Sequence, residues 1–200
     1  MFWHAEGMKT EYEGTIIYNG EKYIVNPKTS YGYADKNWGS DFTSPWIWLS
    51  SNNLKSEISG KKLENSVFGI GGGRPKVFHI PLKEKLLGTF YYEGKNYEFN
   101  FSKFWTGSKT KFNCYETDEE IIWIVELSTF KAKIEVEIKC KKEEMLLINY
   151  ESPDGYKRHT RLFNGGTGYG KISLYEKRKS SCILIDKVLV ENCGCEYGEY

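Results

Sequence analysis

The residues best suited to chemistry lie between Tyr31 and Asn52. Trp38, Trp46 and Trp48, three of the six tryptophans, fall within eleven residues of one another. Trp46 and Trp48 are two apart, so on a strand they face the same side. Tyr33, Asp35, Lys36, Asn37 and Asn52 are interleaved with them, and such polar groups are costly to bury unless paired. Aromatic walls carrying a few polar groups suit a pocket for a flat apolar ligand. Tyr33, Asn37, Trp38, Trp46, Trp48 and Asn52 are therefore the candidate ligand-binding residues, with Asp35 as the candidate acid. The competing assignment places the tryptophans in the core and makes the polar residues a structural network at a strand crossing.

Other motifs carry less. Gly165 to Ile172 nearly spells a phosphate-binding loop, with Gly165, Gly170 and Lys171 correctly spaced. Ile172 stands where a Ser or Thr would hold magnesium, and the following residues alternate like a strand rather than opening a helix. A glycine-rich turn between strands is the expectation there. Gly71-Gly72-Gly73 lacks the spacing of a dinucleotide site and reads as a bend where chain passes close to chain or ligand. The three histidines are scattered, and no nucleophile elbow is present. Cys193 and Cys195 form a Cys-x-Cys pair without a second pair or a nearby histidine, so no metal is expected. Five cysteines in a chain without an apolar leader imply reduced thiols and a cytoplasmic protein.

The elements that must position these residues read as strands. Phe130, Ala132, Ile134, Val136, Ile138 and Cys140 alternate with lysine and glutamate, predicting one buried and one wet face. Strands are expected on either side, over Ile121–Leu127 and Met145–Tyr150. Asn19-Gly20 and Glu93-Gly94 mark hairpins, joining Gly14–Tyr18 to Glu21–Val25 and Thr89–Tyr92 to Lys95–Phe101. Further strands are expected at Tyr31–Asn37, Trp46–Ser51, Val77–Ile80, Lys109–Tyr115, Lys171–Tyr175 and Ser181–Asn192. No long helix is indicated. The fold class is thus all-β, an antiparallel barrel or sandwich spanning residues 1–200 as a single domain. An aromatic content of 16% excludes disorder, and a net charge of +1 argues against a nucleic-acid partner. No apolar run exceeds five residues, whereas a membrane span needs ~20.

Asp35-Lys36-Asn37-Trp38-Gly39, followed by Pro45-Trp46-Ile47-Trp48 and Asn52, resembles the tocopherol cyclase family. Gly71-Gly72-Gly73 and the aromatic hairpin Tyr91 to Phe99 are similar to features of those proteins, and a weaker likeness extends to carotenoid hydratases. The resemblance implies a lipocalin-like, or calycin-like, barrel. It also implies, in the plant enzymes, cyclisation of a prenylated hydroquinone to a chromanol. Family members are longer, so an absent N-terminal barrel, or a homodimer in its place, is part of the expectation. The partner is then a hydrophobic small molecule, and no cofactor is implied. Such a cyclisation protonates a trisubstituted alkene, and the phenol oxygen traps the tertiary cation. It needs a protonated carboxylic acid, aromatic faces and exclusion of water. On the chemistry of the residues, Asp35 is the best-placed acid and Trp38, Trp46 and Trp48 are the candidate faces, with Lys36 expected on the opposite side of the strand. Two alternatives stand beside this reading: a hydrophobic-ligand carrier without chemistry, and a carbohydrate-binding β-sandwich with its aromatics on an open face.

Overall fold

Alternation with a period of two builds most of the molecule. The computed structural model describes residues 2–39, 43–74, 76–77, 80–81, 83–152, 155–156, 158–179 and 181–199. Before the main sheet come β1 (Phe2–Glu11), β2 (Gly14–Tyr18), β3 (Glu21–Val25) and β4 (Tyr31–Trp38). They are followed by β5 (Trp46–Ser51), β6 (Asn53–Ser56), β7 (Val67–Gly73), β8 (Lys76–Val77) and β9 (Ile80–Pro81). Next are β10 (Lys85–Tyr92), β11 (Lys95–Phe99), β12 (Lys109–Glu116), β13 (Glu120–Ser128) and β14 (Ala132–Lys141). The chain ends with β15 (Leu146–Glu151) and two long strands, β16 (Arg158–Arg178) and β17 (Ser181–Gly198).

Eleven strands form one antiparallel sheet in the order β11-β10-β7-β5-β17-β16-β14-β13-β12, with β6 beside β17 and β15 beside β16. The sheet curls into a half-barrel. Its flanks meet through side chains, where Leu87's neighbour Leu86 donates its amide to the Thr110 hydroxyl at 3.4 Å. The concave side is filled by Ile47, Leu49, Phe68, Phe90, Phe99 and Trp123, among others, in one continuous core. Shape-filling of this kind leaves the concave side as packed interior.

The hairpins follow their turn residues. Asn19 and Gly20 take φ of 51° and 82°, and Glu93 and Gly94 take 40° and 89°, as type I′ turns require. In β14 the even residues from Ala132 to Cys140 are buried as the alternation demands, and Ile134 is fully enclosed. Phe130 departs from that pattern. It sits in the turn before β14 and is 71% exposed, because the strand begins at Ala132. The glycine-rich segment at Gly165 is also not a turn but the interior of β16. A Cβ on Gly170 would stand 1.9 Å from the carbonyl oxygen of Glu137, so the glycine permits close strand approach rather than chain reversal. Gly71 to Gly73 likewise end a strand, β7, although the close approach of chain to chain is present, with the Trp3 ring over Gly71. The expected strand at Val77–Ile80 includes Phe78 and His79, which lie outside the described residues.

A separate two-stranded ribbon, β1 paired with β4, lies across the outer face of β7 and β5. Trp3 rests over Gly71 and Met8 over Gly69. Asn52 donates to the Met8 carbonyl at 3.4 Å, and the Lys9 ammonium reaches the Glu64 carbonyl. Of the functional candidates, Tyr33, Trp46 and Trp48 meet where this ribbon faces the sheet.

Candidate functional site

In β5, Ile47 and Leu49 enter the core, so Trp46 and Trp48 point to the outer face under the ribbon. Directly paired residues of antiparallel strands project to the same side. Trp48 is paired with Glu196 of β17, and Glu196 in turn with Asn164 of β16, which brings all three side chains to that face. Gly194 makes room for this: a Cβ there would lie 2.5 Å from the Trp48 ring.

Glu196 is the best-held group of the site. The Trp46 indole N–H donates to its Oε2 at 2.6 Å and the Asn164 amide to its Oε1 at 2.6 Å. Its backbone carbonyl accepts the Trp123 indole at 3.2 Å. Burial pushes the carboxyl above the ordinary carboxylate range, and the nearby charge of Asp35 adds to the rise. The two donors pull the other way, but desolvation outweighs them.

Asp35 accepts the Trp3 indole N–H at 2.6 Å on its Oδ2 and remains open to solvent. Tyr33, two residues earlier on the same side of β4, stacks at a tilt on Trp48 with ring centroids 5.1 Å apart. The Trp48 indole approaches its hydroxyl at 3.4 Å. Burial, with Asp35 close by, holds the Tyr33 phenol up to about 12, so it keeps its proton at physiological pH. Tyr150 of β15 is also raised, chiefly by burial and then by Glu196 and Asp35. Two carboxyls, two phenols and three indoles therefore converge.

Of the residues singled out in the sequence, Tyr33, Asp35, Trp46 and Trp48 are brought together. Trp38 is not. It is 49% exposed, stacked on Phe2 at 5.6 Å, with the Lys36 ammonium 5.8 Å from its ring. Lys36 points away from Asp35 and pairs with Glu6 at 3.2 Å, as the alternation of the strand requires. Asn37 is exposed on the ribbon, and Asn52 acts as a tie between sheet and β1. Trp3, Tyr150, Asn164 and Glu196 were not anticipated. The signal for Glu196 was its place in an alternating tail, between the buried Cys195 and the half-buried Tyr197.

Two apolar clefts flank Trp3 beneath the ribbon. One, of about 110 Å³, touches Trp46, Gly71 to Gly73 and Phe101; the other, of about 160 Å³, touches Met8, Gly69 and Phe99. On the core side, Cys193 and Cys195 are buried thiols near Cys140, and among the described residues no group of His, Cys, Asp and Glu side chains is arranged to hold a metal ion.

No curated protein and no solved structure matches the chain. A family model described as tocopherol cyclase-like matches residues 5–199, nearly the whole sequence, and includes both Asp35 and Glu196. The chain belongs to the tocopherol cyclase-like family.

Proposed function

We propose that the space beneath the β1–β4 ribbon, continuing from the cleft that Trp46 lines, binds a prenylated phenol and closes its ring by protonating the alkene, with Glu196, the hydrogen-bond partner of Trp46, as the acid. The observation that carries this reading is the half-buried Glu196 carboxyl, raised by burial and by Asp35 and surrounded by aromatic rings. A carboxyl raised in this way holds its proton to higher pH than an exposed glutamate, as a general acid must. The Glu196 proton adds to the less substituted alkene carbon, leaving a tertiary cation. A lone pair of the phenol oxygen forms the new C–O bond, and the phenol proton returns to the Glu196 carboxylate. The reaction is an isomerisation, needing no oxidant or reductant. The faces of Trp46 and Trp48 stabilise the cation. Tyr33, neutral under the same conditions, is a donor for the ligand's oxygen.

Each cleft is smaller than the ~300–1,000 Å³ of a typical ligand pocket. Ligand entry therefore requires the ribbon to lift from the sheet. Asp35 has two roles in this scheme: it raises Glu196 and anchors Trp3, which separates the clefts.

The test is incubation with a hydroquinone carrying an ortho prenyl chain. Wild-type protein forms the chromanol, and Glu196→Gln loses turnover by at least about 100-fold, within the range of general acid catalysis. Quenching of tryptophan fluorescence by the same compound persists in the variant. Quenching without any turnover by the wild-type protein would leave the carrier reading in place of the enzyme.

A further inference from the structure

A second surface, at the opposite end of β17 from Glu196, has a different character. Phe104 and Trp105 on a 3-10 turn are 84% and 65% exposed, and Phe130 on the β13–β14 turn is 71% exposed. The two turns are joined by a hydrogen bond from the Phe130 amide to the Thr106 carbonyl at 2.9 Å. Phe104 and Trp105 meet edge to face at 5.2 Å. Three large aromatic side chains therefore project from adjoining turns, where an apolar surface that water must cover needs a reason.

The surroundings are basic. Trp105 and Phe130 line an open groove of about 620 Å³ together with Lys95, Lys131 and Lys177. The β16–β17 hairpin, carrying Arg178 and Lys179, is tied to the same turn by the Lys177 amide, which donates to the Lys131 carbonyl at 2.8 Å. The groove's two carboxylates are already occupied. Glu98 pairs with Lys103 at 2.7 Å, and Glu176 pairs with Lys95 and, at 3.7 Å, with Arg178. Lys131 and Lys179 have no acidic partner among the described residues. The Lys177 ammonium donates to the Thr129 carbonyl at 2.9 Å and has no carboxylate partner among the described residues. A chain of net charge +1 thus gathers an excess of positive charge around its exposed aromatics.

We propose that this end of the molecule docks on a membrane surface containing anionic lipid. Tryptophan and phenylalanine rings at turn tips are suited to the headgroup boundary, where one side is apolar and the other wet. Lysines beside them gain from the negative surface potential of the leaflet, and the gain fades with salt. Aromatic insertion and charge attraction together give reversible binding in the plane of the interface rather than a span. The Glu98 and Glu176 pairings matter here, because neither carboxylate is left to repel the lipid.

The experiment is co-sedimentation of the whole protein with phosphatidylcholine vesicles, with and without phosphatidylglycerol, at low and at physiological salt. The protein sediments with the phosphatidylglycerol vesicles, and binding weakens as salt rises. Lys131→Glu lowers vesicle affinity by at least roughly fivefold, the effect of one lysine near such a surface. Trp105→Ala also weakens binding, and Lys22→Glu on the remote β2–β3 hairpin leaves it unchanged. Thermal melting of each variant confirms that the fold is intact. Equal sedimentation with pure phosphatidylcholine, no sedimentation at all, or folded Lys131→Glu and Trp105→Ala variants that bind like the wild type would each overturn the proposal.

Discussion

Glu196 shows how a single residue's chemistry depends on what is packed around it. An exposed glutamate loses its proton around the ordinary value of 4.5, but here burial and the Asp35 charge move that loss to higher pH. The folded chain therefore holds this proton at pH values where the unfolded chain has lost it. Stability falls as pH rises from the ordinary value of 4.5 towards the raised one, and the full cost persists above it. Glu196→Gln removes that cost. The variant should melt at a higher temperature than wild type at pH 8 but not at pH 4, as thermal denaturation followed by circular dichroism would show. Equal shifts at both pH values would mean that altered hydrogen bonding, not ionisation, governs the residue. Little of this was legible locally. Glu196 is 150 residues from Trp46, and no spacing motif connects them. Asp35 was legible because its neighbours are distinctive. The parity of β4 could also have removed Trp38 from its company: Lys36 and Trp38 share a side, and Asp35 takes the other.

At the scale of elements, the ribbon and the long strands set the site. The β2–β3 and β10–β11 hairpins and the buried face of β14 were legible, since turn glycines and strict alternation are local signals. The length of β16 was not, because its glycines resemble a turn until the neighbouring strands are in place. Ile134→Ala should cost ~2–5 kcal/mol, measured by urea denaturation, because the side chain is fully enclosed and its loss leaves a cavity. A cost near zero would contradict the packing of β14. Gly194→Ala tests the ribbon. The added methyl displaces the Trp48 ring, which breaks its contact with Tyr33 and loosens β4. Hydrogen exchange of β1 and β4 amides should accelerate while the β13–β14 amides stay protected. Unchanged exchange in β4 would show that Trp48 does not hold the ribbon down.

The whole molecule is a curled antiparallel sheet whose concave side is packed core and whose outer face carries the candidate site. The family resemblance implied a lipocalin-like barrel and the residues a pocket walled by tryptophans; Ile47, Leu49 and Phe68 fill the concave side of the sheet. Their neighbours in β5 turn outward, and the two clefts beside Trp3 form where a second layer, the β1–β4 ribbon, covers the sheet. No local pattern states that two layers will meet there, whereas the all-β character is written in the alternation of nearly every strand. The central claim is that Glu196 delivers a proton to an alkene, and solvent isotope incorporation tests it most directly. The measurement is mass spectrometry of the product formed from an ortho-prenylated hydroquinone in deuterium oxide. The account predicts a chromanol carrying one carbon-bound deuterium next to the new ether carbon, with no such product from Glu196→Gln. A chromanol formed by the variant at the wild-type rate, or one without carbon-bound deuterium, would contradict it.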